Sequence, residues 1–305
     1  MATSIPKVEV VLKNVCPQLG EAPHWDDASQ TLFFVDIPGC QAHRFNTTTG
    51  QHDVKQLDDQ VSPIVPRRAG GYIIGLGRRF AELDFETGKT TVIQELDPGT
   101  PNRVNDGKCD AKGRLWAGTV SPAPGKGFTE GAGTLYSLEV DRTVKKHLPG
   151  LTVSNGLAWS EDNRTFFFID SRPAGNLYAF DFDLEAGTID RQRVVKQLGG
   201  DKAVIPGAVP DGMTIDTEGK LWVAFFNGGA VMRLDPETGT TLQKVELPVT
   251  QTTSLSWGGK NLDELYVTTA RRFDDEEFQK QPLAGSLFKI TGLGARGTPA
   301  YMYEG

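Results

Sequence analysis

The chain has 305 residues, 38% hydrophobic, 23% charged and 9% aromatic, a balance that excludes a disordered tail or a fibrous repeat. With 32 basic against 39 acidic residues the formal net charge is −7, the wrong sign for a nucleic-acid binder, so no nucleic-acid partner is expected. No run approaches the ~18 consecutive apolar residues of a membrane span, so no membrane partner is expected.

The first strand signal is the N-terminal run in which Val8, Val10 and Leu12 alternate with Lys7, Glu9 and Lys13. Six segments of one form follow: an apolar anchor, a polar turn, then a strand rich in aromatic and β-branched residues. They run from Trp25 to Ile37, Pro66 to Gly77, Cys109 to Val120, Trp159 to Ser171, Ile215 to Phe226 and Trp257 to Ala270. Their anchors are 41, 43, 50, 56 and 42 residues apart. Each segment leads into a third strand signal, such as Ala42–Phe45 or Val231–Asp235, and most then reach a Thr-Gly or Ala-Gly turn and a fourth run. Short strands at this spacing are all-β, and six units of about four strands predict a six-bladed β-propeller. No composition shift marks a boundary, so residues 1–305 are expected to form a single domain. The N-terminal run is expected to complete the sixth sheet beside Tyr301–Tyr303. Ser121–Gly127 and Phe273–Pro282 exceed the repeat and are candidates for a lid over one face.

Counting back four residues from each anchor gives Glu21, Ser62, Asn105, Asn155, Asp211 and Thr253, each with a side-chain oxygen. Equivalent positions at the start of the innermost strands meet at the mouth of a propeller's central channel. Ser62 and Thr253 fit turn hydroxyls. Glycines beside several of these positions, as in Asn155-Gly156 and Asp211-Gly212, suggest tight tips that use glycine's backbone freedom. Two carboxylates in one funnel repel unless a cation or a shared proton neutralises them. A hard cation such as Ca²⁺ takes carboxylate, amide and water oxygens, and Glu21, Asn155 and Asp211 supply that set.

Other site chemistries lack their residues. His24, His43, His52 and His147 are the only histidines, and none is in the channel register. On a regular strand His24 has the opposite parity to Glu21 and Trp25. An imidazole-built zinc or iron site is therefore disfavoured, although Zn²⁺ can occupy an oxygen site. There is no GxSxG elbow, phosphate-binding loop or dinucleotide fingerprint. Cys16, Cys40 and Cys109 are odd in number and far apart, which fits free thiols, and no secretory signal is visible, so a cytoplasmic location is expected.

The segments GEAPHWD (20–26), NRVNDGKCDAKGRLWAGT (102–119), SNGLAWS (154–160) and PDGMTIDTEGKLWVAFFNGG (210–229) resemble the SMP-30/gluconolactonase/luciferin-regenerating-enzyme-like family. The likeness is to its regucalcin branch and extends through the ending GSLFKITGLGARGTPAYMYEG (285–305). It implies a six-bladed propeller with one divalent metal ion, Ca²⁺ with Zn²⁺, Mg²⁺ or Mn²⁺ also admitted, on Glu21, Asn155 and Asp211. It further implies substrate contacts from Arg103 and Asn105. The activity implied is hydrolysis of small, sugar-like lactones, with Asp211 taking or steering the proton of the attacking water. The alternatives are a calcium-binding regulatory propeller and a luciferin-regenerating-type protein with another small-molecule substrate. One departure bears on substrate: the branch carries an acid just after the AGT segment, where this chain has Val120-Ser-Pro-Ala-Pro124.

Overall fold

The computed structural model describes residues 5–123, 125, 127–272 and 274–305. Its strands form six four-stranded antiparallel sheets, five of them from strands consecutive in sequence. The innermost strands are Gly20–Asp26, Val61–Pro66, Arg103–Cys109, Ser154–Trp159, Val209–Ile215 and Thr252–Gly258. Each packs on its neighbours in that order, and the last packs on the first. The six-bladed propeller read from the repeat is therefore the fold. Among the described residues no helix is long and apolar enough to cross a membrane.

The anchors and the aromatic strands that follow them build the core between sheets. Trp25, Trp116 and Trp222 are fully buried, and aromatic side chains of this size each remove about 150–250 Å² from water, roughly 4–6 kcal/mol of apolar burial apiece. Two blades share an Asp-x-x-Gly-x-Leu-Trp hairpin that fixes such a tryptophan. Asp110 accepts from Lys112 N and Arg114 N, and its other oxygen takes the Trp116 indole N–H at 2.9 Å. Asp216 repeats the pattern with Glu218 N, Lys220 N and Trp222 at 2.9 Å. Gly113 and Gly219 turn these hairpins at φ +75° and +72°, a conformation that glycine adopts without steric cost.

Ring closure follows half of the expectation. Lys7–Leu12 does complete the sixth sheet, but its partner is Leu287–Thr291, running antiparallel. Tyr301–Tyr303 lies elsewhere, because residues 7–12 already occupy that sheet's outer edge. The chain instead continues to blades two and three. Tyr303 N donates to Pro66 O at 2.9 Å, Tyr303 O accepts from Arg68 N, and its buried hydroxyl donates to Glu139 O at 2.5 Å. The C-terminal run is thus a second clasp, bridging two blades.

Of the two long loops, Ser121–Gly127 contains Pro124 and Lys126, which lie outside the described residues. Its end is tied by a Pro122–Phe128 bridge. In the second, where Phe273 is outside the described residues, Asp275–Lys280 forms a short helix with Asp274 as its N-cap.

Candidate metal centre and active site

Every innermost strand carries a bulge at or just after the register position. The breaks fall between Glu21 and His24, Val61 and Ile64, Val104 and Gly107, Asn155 and Leu157, Pro210 and Met213, and Thr252 and Ser254. A bulge re-aims side chains and interrupts the in–out alternation. Glu21, Asn105, Asn155 and Asp211 consequently line one cavity of about 100 Å³ at the channel mouth, together with Arg103.

Ser62 and Thr253 do not line it. The Ser62 hydroxyl donates to Asn105 O, and the Thr253 hydroxyl donates to Gly20 O at 2.5 Å, so both fasten one blade to the next. The adjacent glycines have a different cause from the one expected. Gly156 and Gly212 are not at positive φ; a Cβ on Gly156 would meet the Met213 Cβ at 2.6 Å, and one on Gly212 would collide with the Ser254 side chain. Six strands converging on one axis leave no room for a side chain there.

A hydrogen-bond chain sets the orientation of the site. Arg103 Nη1 donates to Asn105 Oδ1 at 2.8 Å. The Asn105 amide donates to Asn155 Oδ1 at 2.9 Å and to Ser154 O at 2.8 Å. Asn155 Nδ2 then donates to Ser171 Oγ at 2.8 Å. The Asn155 amide is thereby fixed with one oxygen lone pair still free, the orientation a ligand amide needs. Glu21 Oε2 accepts from Ala22 N at 3.0 Å, and Ala22 sits at φ +46°, a left-handed conformation costly for a residue with a Cβ.

Burial shifts every carboxyl of the site upward. Burial, reinforced by Asp106, pushes the Glu21 carboxyl up to about 8. Asp211 is raised well above the carboxylate range by burial, then by Glu21 and Asp106. Asp106 itself is raised to about 6 by burial, against the pull of Lys108. Three buried carboxyls facing one channel fit a divalent ion of oxygen preference. Among the described residues no group of three His, Cys, Asp or Glu is placed to hold a metal; Glu21 and Asp211 share their cavity with the Asn155 amide.

Sequence reasoning missed two parts of the channel. The premise of a regular strand fails at His24, because the bulge carries it inward. His24, Lys108, Thr214 and Ser256, each three residues beyond the register, line the opposite end of the channel. Lys108 Nζ reaches across it to Met213 O at 2.8 Å. Burial holds Lys108 down at about 8 and, with Lys108 beside it, His24 at about 4. The other missed part is the rim at the mouth, formed by Phe128, Phe226, Arg172 and Arg272. No repeat signal marks these loop positions.

Fold and site together define a six-bladed propeller with a carboxylate–amide centre at one end of its channel. Residues 19–271 match the SMP-30/Gluconolactonase/LRE-like region model. Regucalcin of Oryctolagus cuniculus is 44% identical over 302 residues, covering 98% of this chain and 99% of that one. A luciferin-regenerating enzyme superposes with a TM-score of 0.90 at 35% identity, covering 98% of this chain and 100% of the other. A calcium-binding protein, regucalcin, from Agrobacterium tumefaciens superposes at 0.88 with 28% identity, covering 97% and 96%. The chain belongs to the SMP-30/gluconolactonase/LRE-like family.

Proposed function

We propose that this chain is a divalent-metal-dependent lactonase acting on small, sugar-like lactones. The observation that carries the reading is the convergence of Glu21, Asn155 and Asp211 in one buried cavity with the Arg103 guanidinium beside them. Gluconolactonase is part of the matched family's description, and a calcium-binding regucalcin is among the relatives. Glu21, Asn155 and Asp211 would hold one ion, Ca²⁺ first, with Zn²⁺, Mg²⁺ or Mn²⁺ admitted by the same oxygen donors. When bound, such an ion supplies Lewis-acid polarisation of an ester carbonyl and lowers the ionisation range of the attacking water.

The chain's own residues supply the rest. Asp211 takes or steers the proton of the water that adds to the carbonyl, and the proton passes to the alkoxide released when the ring C–O bond breaks. Arg103 lies with its guanidinium toward Asn105, where it meets the developing oxyanion or the ring oxygens. Asn105 has its amide hydrogens committed to Ser154 and Asn155, so it acts chiefly by holding Arg103 and Asn155 in place. The free thiols of Cys16, Cys40 and Cys109 support a reducing, cytoplasmic setting. Lactone hydrolysis measured on metal-loaded and metal-stripped protein tests the reading. Loss on stripping and return on adding the ion support it, and binding of the ion without turnover of any lactone favours the calcium-binding alternative.

A further inference from the structure

The cavity at the channel mouth holds two acids, Glu21 and Asp211, and three guanidinium groups, from Arg103, Arg172 and Arg272. A divalent ion held by Glu21 and Asp211 would cancel both carboxylates. Asp106, deeper in the channel, has Lys108 as its counter-charge. The three guanidiniums then stand without a compensating acid among the described residues of the cavity wall.

Their surroundings show that they are not structural ion pairs. Arg172 and Arg272 are exposed at the rim, and neither makes a side-chain hydrogen bond or salt bridge with another described residue. Neighbouring Arg271 is the contrast: it pairs with Asp275 at 3.0 Å and lies 3.6 Å over the Phe278 ring, away from the cavity. The acid nearest Arg172 in sequence, Asp170, is occupied by the backbone N–H groups of Thr152 and Val153. Arg272 has its backbone clamped on both sides by the Gln251 amide, which fixes where its side chain begins. It lies near enough to Arg103 that, after burial, its charge is the next cause holding that guanidinium down at about 10. Like charges gathered in one pocket oppose each other until a negative ligand arrives.

We propose that the mouth selects anionic lactones, those bearing a carboxylate away from the scissile ester, and that Arg172 and Arg272 are the residues that recognise this group. The proposal rests on the lactonase reading for its substrate class. Guanidinium groups suit a planar carboxylate through paired N–H donors, whereas a hydroxymethyl group offers them one weak acceptor.

The test pair is D-glucaro-1,4-lactone and D-glucono-1,4-lactone, which share a ring and differ at one terminal carbon, carboxylate against hydroxymethyl. On Ca²⁺-loaded protein at low salt, kcat/KM should favour the glucaro compound by ~10-fold, and the preference should shrink at 0.5 M salt because exposed charges are screened beyond ~4–5 Å there. In the double variant Arg172→Gln/Arg272→Gln the ratio should fall to about one. A second readout is titration calorimetry of both lactones with metal-stripped protein, where the glucaro lactone should bind ~10-fold tighter and lose that margin in the double variant. Equal affinities in wild type, or a preference retained by the double variant, would overturn the proposal. If neither lactone is turned over by loaded protein, the hydrolase reading fails, and the calorimetric comparison still decides the charge selection.

Discussion

Metal affinity should depend steeply on pH, and the structure sets the direction and size. In the metal-free protein the Glu21 carboxyl is raised from 4.5 to about 8 by burial and by Asp106, so below that pH it holds a proton that a cation must displace. Each pH unit below 8 then weakens apparent binding by about tenfold, or ~1.4 kcal/mol, for one displaced proton. Between pH 8, where the group is half protonated, and pH 6 the loss is ~50-fold, and the raised Asp211 carboxyl makes the slope steeper still. Calcium titration calorimetry on stripped protein at pH 6, 7 and 8, repeated in buffers of different ionisation enthalpy, reads both affinity and protons released. Affinity unchanged from pH 6 to 8 with no proton release would show that the carboxylates are already ionised without metal, and the account of a desolvated, cation-requiring cluster would be wrong.

Further outcomes follow from the same geometry. Asp211→Ala should abolish lactone turnover more completely than Asn155→Ala, because only the first also removes the proton acceptor; retained metal with near-normal rate in Asp211→Ala refutes that role. Asn105→Ala leaves Arg103 Nη1 and Asn155 Oδ1 without their shared partner, so calcium affinity should fall ~10-fold at unchanged stoichiometry, read by calorimetry. His24 is held at about 4 when folded, against about 6.5 unfolded, so stability should drop as pH falls from 6.5 to 4, by up to ~3 kcal/mol from this residue. Urea unfolding of wild type and His24→Leu at pH 7 and 4.5 checks this, and parallel losses in the two proteins count against it. Tyr303→Phe removes the hydroxyl bond to Glu139 O and should cost about 1 kcal/mol of stability with little effect on turnover.

The propeller was legible because each blade repeats an anchor that packs against the core. Trp25, Trp159 and Trp257 announced their spacing in the sequence, and the structure places all three in the core. The register four residues before each anchor brought Glu21, Asn155 and Asp211 to one cavity because equivalent residues on a closed ring face the same axis. What escaped was set by irregular backbone or by tertiary packing. The Glu21–His24 bulge reversed the parity that excluded His24 from the channel, and nothing in GEAPHWD signals a bulge. Arg172 and Arg272 lie on loops beyond second strands, where the repeat has no register to count from. Tyr303 found a buried slot between blades two and three, a contact about 164 and 236 residues away in sequence that no local pattern reports.

The central claim, that Glu21, Asn155 and Asp211 hold an ion on which lactone hydrolysis depends, is tested most directly by one titration. Stripped protein is titrated with Ca²⁺ while hydrolysis of D-glucono-1,4-lactone is followed in the same samples. Rate should be absent without the ion and rise with occupancy to a plateau at one equivalent per chain. Full rate in the stripped protein, or a plateau reached at two or more equivalents, would contradict the account.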